Sequence, residues 1–207
     1  MDRRARRLDP TLASGDRERQ GRGEVIVVDA GHGGRDSGCK GGGVMEKSLT
    51  LAIAKYTAAE LANLGATVLM TRKDDTYPSL DARSALANRN RADLFISIHI
   101  NSPGGSSPIG GTEIYYHMKD GIARLLGECI MSGMQQYAKL PNLGVKSDRI
   151  LYRSGLAVLR NSKMTSVLVE VGFITNSRDR AKMTSSDFQK GTAHAIADGV
   201  QKFLGAK

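Results

Sequence analysis

VIVVDAGHGGRDSGCKGGGVME, residues 25–46, decides the fold. A short apolar run passes into a loop dense in glycine, and a helical pattern begins at the loop's far end. In α/β proteins a buried strand, a glycine-rich turn and a helix in that order hold a ligand at the carboxyl edge of the sheet. His32 lies inside the loop and Glu46 closes it. The nucleotide-binding forms of this arrangement fail here. Gly31, Gly33 and Gly34 do not complete GxGxxG, because Asp36 stands where the third glycine belongs, and no GxxxxGK[ST] occurs. HExxH is also absent, so the chain is not a zincin.

Outward from this stretch, apolar runs alternate with helical periods. Strands are expected at residues 25–29, 66–71, 94–99, 112–117, 156–159 and 167–171. One helix is expected over residues 46–64, with Leu49, Ile53, Tyr56 and Leu64 near helical spacing and Gly65 as its C-cap. A second covers residues 79–90, with Ser79 as N-cap and Leu80, Ser84 and Ala87 in phase. A third carries the stripe Ile122, Leu125, Leu126, Cys129, Ile130 and Met134. The last covers residues 186–204 with Phe188, Ile196, Val200 and Phe203. This order predicts an α/β fold: one domain over residues 24–207, with a mostly parallel or mixed twisted sheet and helices on both faces.

The chain has 207 residues, 40% hydrophobic, enough for one core without bracing by disulfides. Its net charge of +9 favours an anionic partner without choosing one. Residues 1–22 hold seven Arg against four acids and few large apolar side chains, so residues 1–23 read as a disordered basic tail or linker. No apolar stretch follows the Arg cluster, so no secretory signal is recognised, and no segment is apolar enough to span a membrane. Nucleic acid is disfavoured as the partner, because aromatic and basic residues are not interleaved. Cys39 and Cys129 form no CxxC and no disulfide framework. Cys129 reads as core, and Cys39, in the glycine loop, as a residue open to exposure and reaction. His117 and His194 read as surface or core-satisfied residues outside any site.

Three strands end in metal-binding or acid–base residue types: one leads to His32, one ends at His99 and one at Glu170. Parallel strands bring these ends to one edge, and Glu46, starting the following helix, faces the same edge. Two His and one Glu suit a catalytic zinc site that keeps a position for water. Zinc lowers the pKa of bound water from about 15.7 to about 7. A carboxylate outside the metal shell then moves the proton. Glu170 suits that task, since a charged residue in the apolar run VLVEV rarely serves packing alone.

These stretches also resemble a known family. VIVVDAGHGGRDSG, EKSLTLAIA, VLMTRKDD, LDARSALANRNRADLFISIHINS, GTEIYY and VLVEVGFITN occur in the order found in zinc-dependent N-acetylmuramoyl-L-alanine amidases of the type-3 amidase family. The resemblance implies one zinc ion held by His32, Glu46 and His99, with Glu170 as the catalytic glutamate. It implies hydrolysis of the amide between N-acetylmuramic acid and the stem-peptide L-alanine of peptidoglycan. The expected place of action is the cell wall, periplasm or extracellular space, reached by a phage-type endolysin or by part of an exported enzyme. Arg72 and Asn101 match positions beside the site, and Arg72 reads equally as one half of a structural ion pair.

Two departures from the family pattern stand out. Division-activated members carry an inhibitory helical insertion after the strand matching residues 112–117. Only about five residues fill that place here, so an uninhibited site is expected. No wall-binding repeat is recognisable beside the domain, so targeting is expected to come from sequence outside this chain or from the basic surface. Residues 41–43 read as a flexible connection or as room near the metal, residues 102–111 as a mobile rim, and the glycines of the first loop as room for a bulky glycopeptide. Three other classes remain open from the residues: a non-catalytic basic module, a zinc peptidase cutting within the peptide, and a thiol hydrolase using Cys39.

Overall fold

The computed structural model describes residues 23–103 and 107–205. Residues 1–22 of the expected tail and residues 104–106 of the expected rim lie outside them. Strand β1 (Val25–Ala30) is buried along its whole length and is an interior strand, second from one edge, of a six-stranded sheet. The others are β4 (Thr67–Met70), β5 (Leu94–Asn101), β6 (Thr112–Tyr116), β7 (Asn142–Ser147) and β8 (Thr165–Phe173). Their order is β4-β1-β5-β8-β6-β7. The first four run parallel, and β6 and β7 run parallel to each other but antiparallel to β8. The sheet is therefore mixed. Residues 40–45 form a small hairpin, β2 (Lys40–Gly41) and β3 (Val44–Met45), whose two-residue turn has Gly42 and Gly43 at positive φ. A primed turn of this kind needs glycine, so the expected flexible connection is a defined hairpin.

Strand alternation splits the side chains between two faces. Ile26, Val28, Ala30, Ile96, Ile98, Val167 and Val169 meet α1 (Glu46–Asn63), α3 (Gly121–Tyr137) and α6 (Ser186–Gly205). On the other face Val25, Val27, Phe95 and Leu168 meet α2 (Leu80–Arg89) and the single turn α4 (Ala157–Arg160). These two short helices cover only the apolar end of that face. Its carboxyl end carries Asp29, Ser97, His99, Glu170 and Glu113, and the site is built there. Helix α5 (Ser177–Met183) follows β8 and precedes α6.

Several expectations change. Residues 156–159 form no strand: Val158 and Leu159 are buried in α4, whose Arg160 amide donates to the Leu156 carbonyl. A four-residue apolar run does not distinguish strand from buried helix by period. Strand β7 and helix α5 were not expected, since neither carries an apolar run. In α2 Leu80 is 54% exposed while Arg83 is buried. In α3 Leu126, Ile130 and Met134 are core, but Ile122 and Leu125 are exposed, and Cys129 is half-buried at the core's margin. Ser79 caps α2 through the Ala82 amide, and Gly65 ends α1 at φ 91°, both as expected. The chain passes from β6 to α3 through residues 117–120, with no inserted helix between.

Candidate metal centre

β1 and β5 are adjacent, and α1 starts beside their carboxyl ends, so His32, His99 and Glu46 meet. Glu46 is buried, its Oε2 lying 3.1 Å from His32 Nε2 and its Oε1 3.0 Å from His99 Nδ1. The two imidazoles stand edge to face with centroids 4.8 Å apart. One donor atom from each of the three residues lies within 4.8 Å of the others. Tetrahedral zinc with ligands at ~2.0–2.1 Å sets those ligands roughly 3.3 Å apart, so this donor set fits the ion. Backbone amides hold the carboxylate in place: Cys39 donates to Oε2 at 2.8 Å and Ile100 to Oε1 at 2.9 Å. Burial alone would raise the Glu46 pKa. The hydrogen bonds and charges of His32 and His99 overcome it and hold the group ionised, as a metal ligand must be.

The loop's glycines make room for these side chains rather than for substrate. A Cβ at Gly31 would lie 2.5 Å from His99 Nε2, and one at Gly38 would lie 2.5 Å from Glu46 Oε2. His32 itself has φ 60°, a left-handed conformation costly for a non-glycine residue. Two buried arginines hold it there. Arg83 donates to the carbonyls of Ala30 and His32 at 2.8 Å each, and Arg72 to those of Ala30 and Gly31 at 2.9 Å. Arg72 also reaches the Lys47 carbonyl at 2.8 Å, tying the His32 loop to the helix that carries Glu46. Among the described residues Arg72 thus donates to carbonyls and to the Thr50 hydroxyl rather than to the carboxylate of an ion pair. Arg83 is the arginine with a buried counter-ion, Asp29, at 2.8 Å.

Asp36, which the pattern of strand ends does not reveal as part of the site, places its Oδ2 2.8 Å from His32 Nδ1. A carboxylate on the far nitrogen orients a ligating imidazole and raises its basicity. Burial alone would lower the His32 pKa, but Glu46 and Asp36 raise it. The signal was the i,i+4 spacing of a His and an Asp within one tight loop.

In register, His99 on β5 faces Glu170 on β8, which faces Glu113 on β6. Glu170 Oε2 is buried without a hydrogen-bond partner. Burial, and then the charges of Glu46 and Glu113, push the Glu170 carboxyl well above its ordinary range. Glu113 is fully engaged, accepting from Asn101 and Tyr115 at 2.8 Å and from Lys146 at 2.6 Å. Asn101 therefore stands beside the site, held by Glu113. His117 is buried on Asp148 at 2.9 Å, and exposed His194 pairs with Glu60 at 3.1 Å, both away from the centre. Burial and the Glu46 charge push the Cys39 thiol up to about 11, which disfavours the thiolate at neutral pH.

A family model described as N-acetylmuramoyl-L-alanine amidase matches residues 26–202. N-acetylmuramoyl-L-alanine amidase LytC of Bacillus subtilis (strain 168) is 39% identical over 181 residues, covering 87% of this chain and 36% of LytC. This chain thus spans about a third of LytC's length. Uncharacterized protein YqiI of the same organism is 38% identical over 183 residues, 87% of this chain and 85% of that protein. The solved structure of N-acetylmuramoyl-L-alanine amidase AmiC2 of Nostoc punctiforme shares the fold with a TM-score of 0.81 at 36% identity. It covers 88% of this chain and 97% of its own. Since the match runs from the first strand of the sheet into the last helix, the chain belongs to the N-acetylmuramoyl-L-alanine amidase family.

Proposed function

We propose that residues 24–207 form a catalytic domain that hydrolyses the amide between N-acetylmuramic acid and the stem-peptide L-alanine of peptidoglycan. In this reading His32, Glu46 and His99 hold one zinc ion. Bound there, zinc supplies a water of lowered pKa and polarises the scissile carbonyl. Glu170 is the acid–base residue. Its orphaned Oε2 beside His99 is the single observation that carries the assignment, because a buried carboxylate oxygen without a partner costs stability and calls for a role in chemistry. Its raised pKa suits a group that takes a proton from water and returns it to the leaving amine. Asp36 orients His32, and Arg72 and Arg83 fix the loop that presents it.

The wall is the place of action that fits this substrate. Among the described residues no helix is long and apolar enough to cross a membrane. The deciding experiment is digestion of purified peptidoglycan with and without chelator, followed by mass spectrometry of the new termini. Chelator-sensitive release of peptides with free L-alanine amino ends is expected. Cuts elsewhere in the stem would assign the site to peptidase chemistry, and chelator-resistant release would return attention to Cys39.

A further inference from the structure

A groove of about 1070 Å³ opens beside the metal centre, and nothing in the chemistry above uses it. Its inner end is formed by Cys39, whose amide holds Glu46, and by Ser102, three residues after His99. One wall is the β2–β3 hairpin with Lys40; the other is the start of α5 with Arg178 and Arg180. Among the described residues no Asp or Glu lines it, and no Phe, Tyr or Trp. Lys40 and Arg178 are exposed, and among the described residues neither is paired with a carboxylate. Arg180 is braced, donating to the Ile174 carbonyl at 2.7 Å while its guanidinium lies against Gly42. Thr175 adds a buried hydroxyl without a hydrogen-bond partner to the wall.

We propose that this groove binds the stem peptide through its carboxylates, with Lys40 and Arg178 reading the acidic group next beyond L-alanine. The inference rests on the amidase reading and adds to it the direction in which substrate lies. A carboxylate-free cleft bearing three cations concentrates anions. Of the two halves of the substrate, the peptide carries the carboxylates, whereas the sugars are uncharged and stack on flat aromatic faces that this groove lacks. The peptide therefore leaves along the groove, away from the muramoyl side.

The test uses Lys40→Glu/Arg178→Glu, two exposed positions, and Lys55→Glu/Arg89→Glu as a control of equal charge change on remote exposed residues. Binding of a labelled stem tripeptide is read by fluorescence anisotropy without turnover. Turnover is then compared on two muramoyl peptides, one with a free carboxylate on its second residue and one with that carboxylate amidated. Because exposed pairs are individually weak and charge reversal adds repulsion, tripeptide binding weakens on the order of 10-fold in the groove variant and is unchanged in the control. Preference for the carboxylate substrate, as the ratio of kcat/KM values, falls by a similar factor. Equal binding by both variants, or equal losses on the two substrates, overturns the groove assignment. Tripeptide binding that depends on Lys40 and Arg178 without any cleavage overturns the amidase reading and leaves the groove standing.

Discussion

Replacing Arg83 with Met tests how the metal loop is held. The guanidinium lies 2.8 Å from Asp29 Oδ1, with the two side chains 3% and 0% exposed, and it donates to the Ala30 and His32 carbonyls. Removing one partner of a buried pair leaves an uncompensated charge and costs ~3–5 kcal/mol, a large part of the ~5–15 kcal/mol that holds a domain folded. Burial alone would raise the Asp29 pKa. Arg83, Ser97 and Thr71 together hold it below the ordinary carboxylate range. The stability this confers is present above the unfolded pKa near 3.9 and is lost as pH falls through the lower folded value. The penalty of Arg83→Met is therefore full at pH 7 and shrinks toward pH 3. Urea unfolding of zinc-free protein, followed by far-UV circular dichroism at both pH values, measures it. The double variant Arg83→Met/Asp29→Asn should cost less than the sum of the two single changes, because no buried charge is left alone. A single-variant cost under ~1 kcal/mol, or strict additivity, would refute the clamp; the range above sets that threshold.

Other perturbations bear on the centre itself. Asp36→Ala removes the 2.8 Å contact to His32 Nδ1 and should weaken zinc binding ~10–100-fold in a competition titration; unchanged affinity would show that His32 needs no such partner. Gly38→Ala places a methyl 2.5 Å from Glu46 Oε2 at φ 62°, so the folded variant should fail to load zinc, and stoichiometric metal content would contradict that packing. Glu170→Gln should keep its zinc and lose ~10²–10⁴-fold in turnover. Because the folded Glu170 pKa is raised, its ionised form costs stability above the unfolded value near 4.3. Zinc-free Glu170→Gln should thus melt above the parent at pH 8 and level with it near pH 4. Equal melting temperatures at both would mean that Glu170 is not buried as a charge.

What the sequence determined by itself is the local order of elements and the strand ends that carry chemistry. Periodicity, caps and glycines are short-range signals, and residues 25–46, Ser79 and Gly65 acted as their composition required. Tertiary structure decided the rest, because it depends on which strands become neighbours and in what register. Whether His99, Glu170 and Glu113 share one row is fixed by two pairings across three strands, between residues 71 and 57 apart in sequence. Strand β7 carries only Leu143 and Val145 as apolar residues, so its place at the sheet edge comes from pairing with β6 rather than from its pattern. Arg83 is buried in place of Leu80 because Asp29 and the carbonyls of Ala30 and His32 give its charge and donors partners inside, which no helical period expresses. The glycine loop changed meaning for the same reason: the space beside Gly31 and Gly38 is filled by His99 and Glu46, side chains that only the folded sheet brings there.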